Sequence, residues 1–301
     1  MAISRKPEKI LVDDVILYKI IFRSLTELEV YLKSDPEVNQ KVFRQQMSLR
    51  ANENFAGEPL NRAIDFCHGG YQKNFDMFLR MKRLMDSANV AYSQNRKTIA
   101  SVVGSRPNVP AFIAGAPKTM YRLERVKEKK FIDIYINLAY SGHTTENQII
   151  NRGILTLNLV NLLESHGMGV NLRVFEACYV AKEVFAAEVV IKKPDEMLNT
   201  GKCYYPLCGK EFNRRLMLRL KESMPFTADW GISYGLMLDE ERTRKYLGID
   251  KNKILIMAPG DMGILGQDIY ADADRFIKKL NLGDMVAFPK YTKLRPDNGT
   301  F

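Results

Sequence analysis

Asn137, Tyr140, Ser141, His143, Thr144 and Thr145 fall within nine residues at the end of the apolar run 131–138, FIDIYINL. Polar loops at the C-terminal ends of strands are where open α/β sheets place their ligands, so this loop is the first candidate for chemistry. It offers hydroxyls, one amide and one imidazole, but no carboxylate before Glu146. A Ser141–His143 nucleophile pair would need an orienting acid and an oxyanion hole. Ser141 is preceded by Tyr140 and Ala139, so no G-x-S-x-G elbow is present and hydrolase chemistry is not expected.

The other reactive side chains are sparse. Cys203 and Cys208 flank YYPL, a spacing longer than a zinc pair, and no second pair or nearby histidine completes a site; they read as reduced structural cysteines. The same stretch, GKCYYPLCGKE, fails the phosphate-loop spacing and puts Glu211 where a serine or threonine must bind magnesium. His166 sits at the glycine-stopped end of a helical run, where a cation relieves the helix dipole. His68 adjoins Cys67, and neighbouring side chains do not turn easily to face each other as a dyad. His143 is the histidine to watch, because it shares the polar loop with Ser141.

Composition sets the wider limits. The 301 residues are 46% hydrophobic and 27% charged, which suits one large domain or two small ones. No apolar run reaches the roughly 18 residues of a spanning helix, and the N-terminal stretch is a poor signal peptide, so cytoplasmic residence without membrane contact is expected. The net charge is +10. Bases concentrate at 122–130, with Arg122, Arg125, Lys129 and Lys130, and at 210–221, with Arg214, Arg215 and Arg219. Such stripes are consistent with nucleic-acid binding, although interleaved glutamates also fit solvated helix faces. Trp230 and Tyr234, in FTADWGISYGLML, offer either a binding surface or a loop anchored on the core.

These residues need elements to hold them. Residues 10–22 form an apolar run that suits a strand or a docking segment. Ser24 caps a helical pattern, Pro36 opens another through about residue 49, and Gly69 and Gly70 break the chain before a third. Residues 1–100 therefore read as mainly helical, and 101–130, with its prolines and glycines, as an irregular connecting segment. From residue 131 strands and helices alternate: FIDIYINL, a helix from about 145 to 165 stopped by Gly167, VNLRVFEACYV, FAAEVVIK, helical KEFNRRLMLRLKESM, KILIMAP, helical DADRFIKKL and a short MVAF strand. Alternation of this kind predicts an α/β fold, doubly wound, with a mostly parallel sheet over 131–288 and a tail at 289–301.

The loop N-L-A-Y-S (137–141) and the following RGILTLNLVNLLESHGMGVNLRVFE resemble the first strand–helix–strand of a von Willebrand factor A-type domain. In that family the first strand ends in D-x-S-x-S, and a later threonine and aspartate complete a metal-ion-dependent adhesion site. The resemblance carries the site onto Asn137, Ala139, Ser141, Thr200 and Asp261. Asn137 replaces the aspartate and Ala139 a serine, so a hard divalent cation would lose its carboxylate there. The resemblance thus implies a degenerate metal site, with Ser141, Thr200 and Asp261, beside Asn137, as the remaining ligands and no cofactor expected. RPNVPAFIAGAP and DWGISYG are also similar to uncharacterised proteins of bacteriophages and their hosts.

The expected function is a non-enzymatic adaptor or assembly protein that presents its loop edge (137–145, 199–210, 259–266) to another protein. Tyr140, His143, Trp230 and Tyr234 are its candidate contacts. The resemblance implies a partner such as an AAA+ ATPase or a phage or host factor, with a homo-oligomer as a further option. The alternatives are a nucleic-acid-binding protein, and a metal-dependent enzyme using Asp261 with Asp268 or Asp272.

Overall fold

The computed structural model describes residues 6–88, 96–125, 131–230 and 234–281. Strands β1 (Glu8–Val12) and β2 (Val15–Phe22) form a hairpin turned by Asp13 and Asp14, both at positive φ. Aspartate tolerates that left-handed backbone better than most residues. Helix α1 (Leu25–Lys33) follows, with Ser24 capping the Glu27 amide as its sequence predicts. The helix expected after Pro36 does not form. Asn39 instead bonds through its amide N–H to the Glu222 carbonyl and through its side chain to the carbonyls of Met224 and Phe226. Only short helices α2 (Met47–Arg50), α3 (Glu53–Ala56) and α4 (Leu60–Asp65) follow, before Gly69 and Gly70 break the chain and α5 (Phe75–Ala88) begins.

Residues 96–125 build a separate antiparallel sheet of β3 (Arg96–Ser101), β4 (Arg106–Pro107) and β5 (Met120–Arg125), with helix α6 (Val109–Ile113) between the last two. The expected irregular connection is therefore an arm with its own strands. Gly104 makes its hairpin feasible, because a side chain there would run into the Tyr121 carbonyl.

The central sheet comprises β1, β2, β6 (Phe131–Asn137), β7 (Gly169–Val180), β8 (Glu183–Lys192), β9 (Leu236–Met237) and β10 (Ile254–Ile256). Its order is β1-β2-β8-β7-β6-β10, with β9 against β7. The pairs β6–β7, β6–β10 and β2–β8 are parallel, while β1–β2, β7–β8 and β7–β9 are antiparallel. The fold is thus mixed α/β. Two expectations change here. A tight turn through Ala181, at φ 51°, joins β7 to β8 as a hairpin where a parallel sheet would need a crossover. The first hundred residues also do not stand apart, since β2 adds to β8 in the same sheet. The expected MVAF strand and C-terminal tail lie outside the described residues.

Helix α7 (Glu146–Ser165) carries the chain from β6 to β7 and is buried through most of its length. Thr145 and Gln148 form a reciprocal capping box, and Gly167, at φ 81°, terminates the turn beyond it. Against α7 lies a second buried helical run: α8 (Thr200–Cys208), a π-helical stretch Phe212–Met217, and α9 (Leu218–Glu222). Helices α10 (Glu240–Leu247) and α11 (Ile269–Leu280) follow, capped by Asp239 and Asp268.

Close approach of α7 and α8 depends on Gly153. A Cβ there would meet the Cys208 sulfur and lie 2.6 Å from the Leu207 carbonyl oxygen. Gly153→Ala is expected to cost about 2 kcal/mol, although alanine alone favours a helix by about 1 kcal/mol over glycine. A urea midpoint equal to or above the wild type would refute this packing.

Candidate functional site

The carboxyl ends of β6 and β10 are tied together by one side chain that the sequence reading passed over. Arg152, on the inward stripe of α7, donates through Nη1 to the carbonyls of Asn137 (2.6 Å) and Met257 (3.2 Å). It is 1% exposed, and its Nε and Nη2 have no hydrogen-bond partner. Burial lowers its pKa to about 10, which leaves it charged at neutral pH. Its sequence signal is a lone arginine inside the apolar stripe of Ile149, Ile150 and Ile154.

Beyond β6 the loop lines a cavity of about 230 Å³ with Ala139, Tyr140 and Gly142. Tyr140 lines it, with two guanidinium groups in cation–π range of its ring: Arg152 at 5.9 Å and Arg214 at 5.4 Å from the ring centroid. Arg214 also lies 4.4 Å from the Phe55 ring and donates to the carbonyls of Phe55 (2.7 Å), Gly142 (3.4 Å) and Thr144 (3.0 Å). The Tyr140 hydroxyl is buried without a partner, and burial raises its pKa despite both arginines.

The cavity lining also holds a buried ion pair between Lys221 of α9 and Glu176 of β7. Glu176 also accepts from Asn213 (3.1 Å) and from the Cys178 thiol (3.5 Å), and Lys221 donates to the Tyr234 carbonyl (2.9 Å). Burial pushes Cys178 up to about 12, so it stays a thiol and a poor nucleophile at neutral pH. Burial opposes the charge on Lys221, yet the Glu176 carboxylate paired with it holds its pKa above the usual value.

The four positions with ligating side chains that the resemblance selects do not all meet. Asn137 ends β6 with its Oδ1 accepting from the Ala139 amide (2.8 Å), and Ser141 is exposed with its hydroxyl accepting from the His143 amide (3.2 Å). Asp261 is exposed in the turn beyond β10. Thr200 begins α8 after β8, which runs antiparallel to β7, so it lies at the opposite sheet edge, about 20 Å or one strand length away. Asp268 caps α11, and buried Asp272 accepts from Asn151, Arg275 and the Leu265 and Gly266 amides. Among the described residues, no cluster of three or more His, Cys, Asp or Glu is arranged to hold a metal ion.

The remaining candidates divide between core and surface. Trp230 is fully buried, stacked on Phe226 and donating to Glu183 (3.0 Å), so it anchors its loop. Tyr234 donates to Glu222 (2.8 Å) and accepts from the Met47 amide (2.9 Å). His143 is exposed. The stripe at 210–221 turns inward: Lys210, Arg214, Arg215, Arg219 and Lys221 are all buried, and their donors serve backbone carbonyls or acids of the packed chain. Arg214, Arg215 and Arg219 therefore form no solvated basic face. Arg122 is exposed on β5 and Arg125 ends that strand, while Lys129 and Lys130 lie outside the described residues.

Beyond the cavity, the arm exposes its apolar side chains. Val102, Val103, Val109, Phe112 and Ile113 are each more than half exposed. No helix among the described residues is long and apolar enough to cross a membrane.

The sheet, the buried basic helix and the arm define a mixed α/β protein with a group of exposed apolar side chains outside its central sheet. The chain belongs to the family described as a domain of unknown function, DUF7192, which matches residues 8–284. No curated protein and no solved structure matches it.

Proposed function

We propose that this protein is a non-enzymatic adaptor that grips an acidic protein partner with the 96–125 arm, held on a doubly wound scaffold of von Willebrand A type. The observation that carries this reading is the run of five exposed apolar side chains from Val102 to Ile113. Exposed apolar side chains gathered in one short segment of this kind suit an interaction site. Charge complementarity points to the partner. Residues 96–130 contain nine Lys or Arg and two Glu, so they carry +7 of the net +10. Two such arms repel each other, whereas an acidic surface is drawn to one. The parallel β6–α7–β7 unit supports the scaffold reading.

The test is cross-linking through Lys118 in the native host, with wild type beside the double variant Val103→Asp, Phe112→Asp. One acidic protein joined to the arm, and lost from the variant, is expected. The variant should melt within about 2 °C of wild type, because exposed substitutions rarely exceed ±0.5 kcal/mol. Equal recovery by both proteins, or nuclease-sensitive recovery of nucleic acid instead of protein, would overturn the proposal.

A further inference from the structure

We infer that the cavity lined by Tyr140, Arg214 and Lys221 binds a small oxyanion. The inference is independent of the arm and its partner. It begins with a charge imbalance. The Lys221–Glu176 pair in the cavity wall is internally neutral. Arg152 and Arg214 both lie in cation–π range of the Tyr140 ring, and no carboxylate lies within ion-pair distance of either among the described residues. Both guanidiniums are buried, and Arg152 meets only carbonyls and a ring. A buried charge without a counter-charge is costly, and an anion in the adjoining cavity supplies what the chain lacks.

The uncommitted donors point the same way. The Tyr140 hydroxyl, Nε and Nη2 of Arg152, and Nδ2 of Asn137 are all buried and without partners at this one end of β6. Each is an N–H or O–H donor, and Tyr140, the one of the three residues that lines the cavity, suits an acceptor-only ligand there. This is the position at which the resemblance would seat a divalent cation. Two guanidiniums there make the local field unfavourable to one.

Volume limits the ligand. About 230 Å³ is below the range of pockets that take drug-sized molecules. It accommodates inorganic phosphate, or the phosphoryl or carboxylate end of a small molecule, but not a nucleotide. The apolar part of the wall, Met47, Leu218 and Met237, leaves room for a short carbon chain behind the anionic head.

Tyr140→Phe is the discriminating variant, because it deletes a hydroxyl that has no partner in the unliganded protein. Titration of wild type with inorganic phosphate, followed by calorimetry and thermal melting, is expected to show saturable binding absent with chloride at equal ionic strength. Methyl phosphate and acetate in parallel arms identify the source: preference for either places the anion on a small organic molecule, and equal or weaker binding than phosphate assigns the free ion. Tyr140→Phe should melt at or above the wild-type temperature yet bind the preferred anion about tenfold more weakly, the usual effect of losing one hydrogen bond to a charged group. Arg152→Lys should retain more binding than Arg152→Gln. The inference fails if no arm binds above the chloride control, or if Tyr140→Phe binds as tightly as wild type.

Discussion

Arg215→Lys is expected to cost about 4 kcal/mol in urea denaturation, although both residues carry one positive charge. The reason is the number and direction of bonds. Arg215 donates from Nε to Glu58 (2.9 Å), from Nη1 to Ser48 and Leu49 (3.0 and 3.4 Å), and from Nη2 to Ala51 and Gly57 (3.0 and 3.1 Å). All five acceptors are main-chain carbonyls of the segment 48–58, which has only two single-turn helices of its own. Lysine offers three donors from one atom and cannot reach across that span. At least two carbonyls would lose their partner, each at about 1–3 kcal/mol when buried. Amides of residues 48–57 should lose hydrogen-exchange protection before the central sheet does. A loss under 1 kcal/mol would mean that the segment holds its shape without the arginine.

That arginine also shows why part of the molecule was hidden in its sequence. KEFNRRLMLRLKESM reads as a helix, and it is one, with a π-helical stretch. Its charges have the spacing of a solvated face, yet their acceptors are carbonyls of a loop about 160 residues away. Backbone acceptors leave no mark on residue type, so the burial of this helix could not be read locally. The β7–β8 turn was concealed similarly. It lacks the Asn-Gly or Asp-Gly pair that announces a hairpin and instead bends at Ala181.

Where local chemistry decides the structure, sequence and fold agree. Ser24, Thr145 and Gly167 mark helix ends because capping is settled within four residues. The polar loop after β6 also stands where the alternation of elements predicts, at the carboxyl end of a parallel strand. Its chemistry was only half visible. Tyr140 belongs to the loop, but Glu176, Asn213, Arg214 and Lys221 come from β7 and the buried helical run. Cavities are assembled by topology, and the hairpin and buried helix that bring those four together were the parts that residue patterns did not reveal.

Breaking the Lys221–Glu176 pair from one side is expected to destabilise the protein by about 3–5 kcal/mol, as single removals from buried pairs do. Lys221→Met leaves the Glu176 carboxylate, 3% exposed, with only Asn213 and the Cys178 thiol. Glu176→Leu leaves the ammonium with the Tyr234 carbonyl and a sulfur atom. The double variant removes both charges and should recover most of the loss, because apolar replacement of a whole buried pair is often neutral or better. The double-mutant cycle would then give a coupling of several kcal/mol. Alkaline pH gives an independent check. Lys221 has a raised pKa, so its contribution is complete below the unfolded value near 10.5 and lost as pH rises through the folded one. The advantage of wild type over Lys221→Met should therefore shrink only above about pH 10.5. If the double variant is as unstable as either single one, the cost lies in lost packing and not in the isolated charge. If it is stable but no longer binds phosphate, the pair is retained for the polarity it gives the cavity wall beside Arg214.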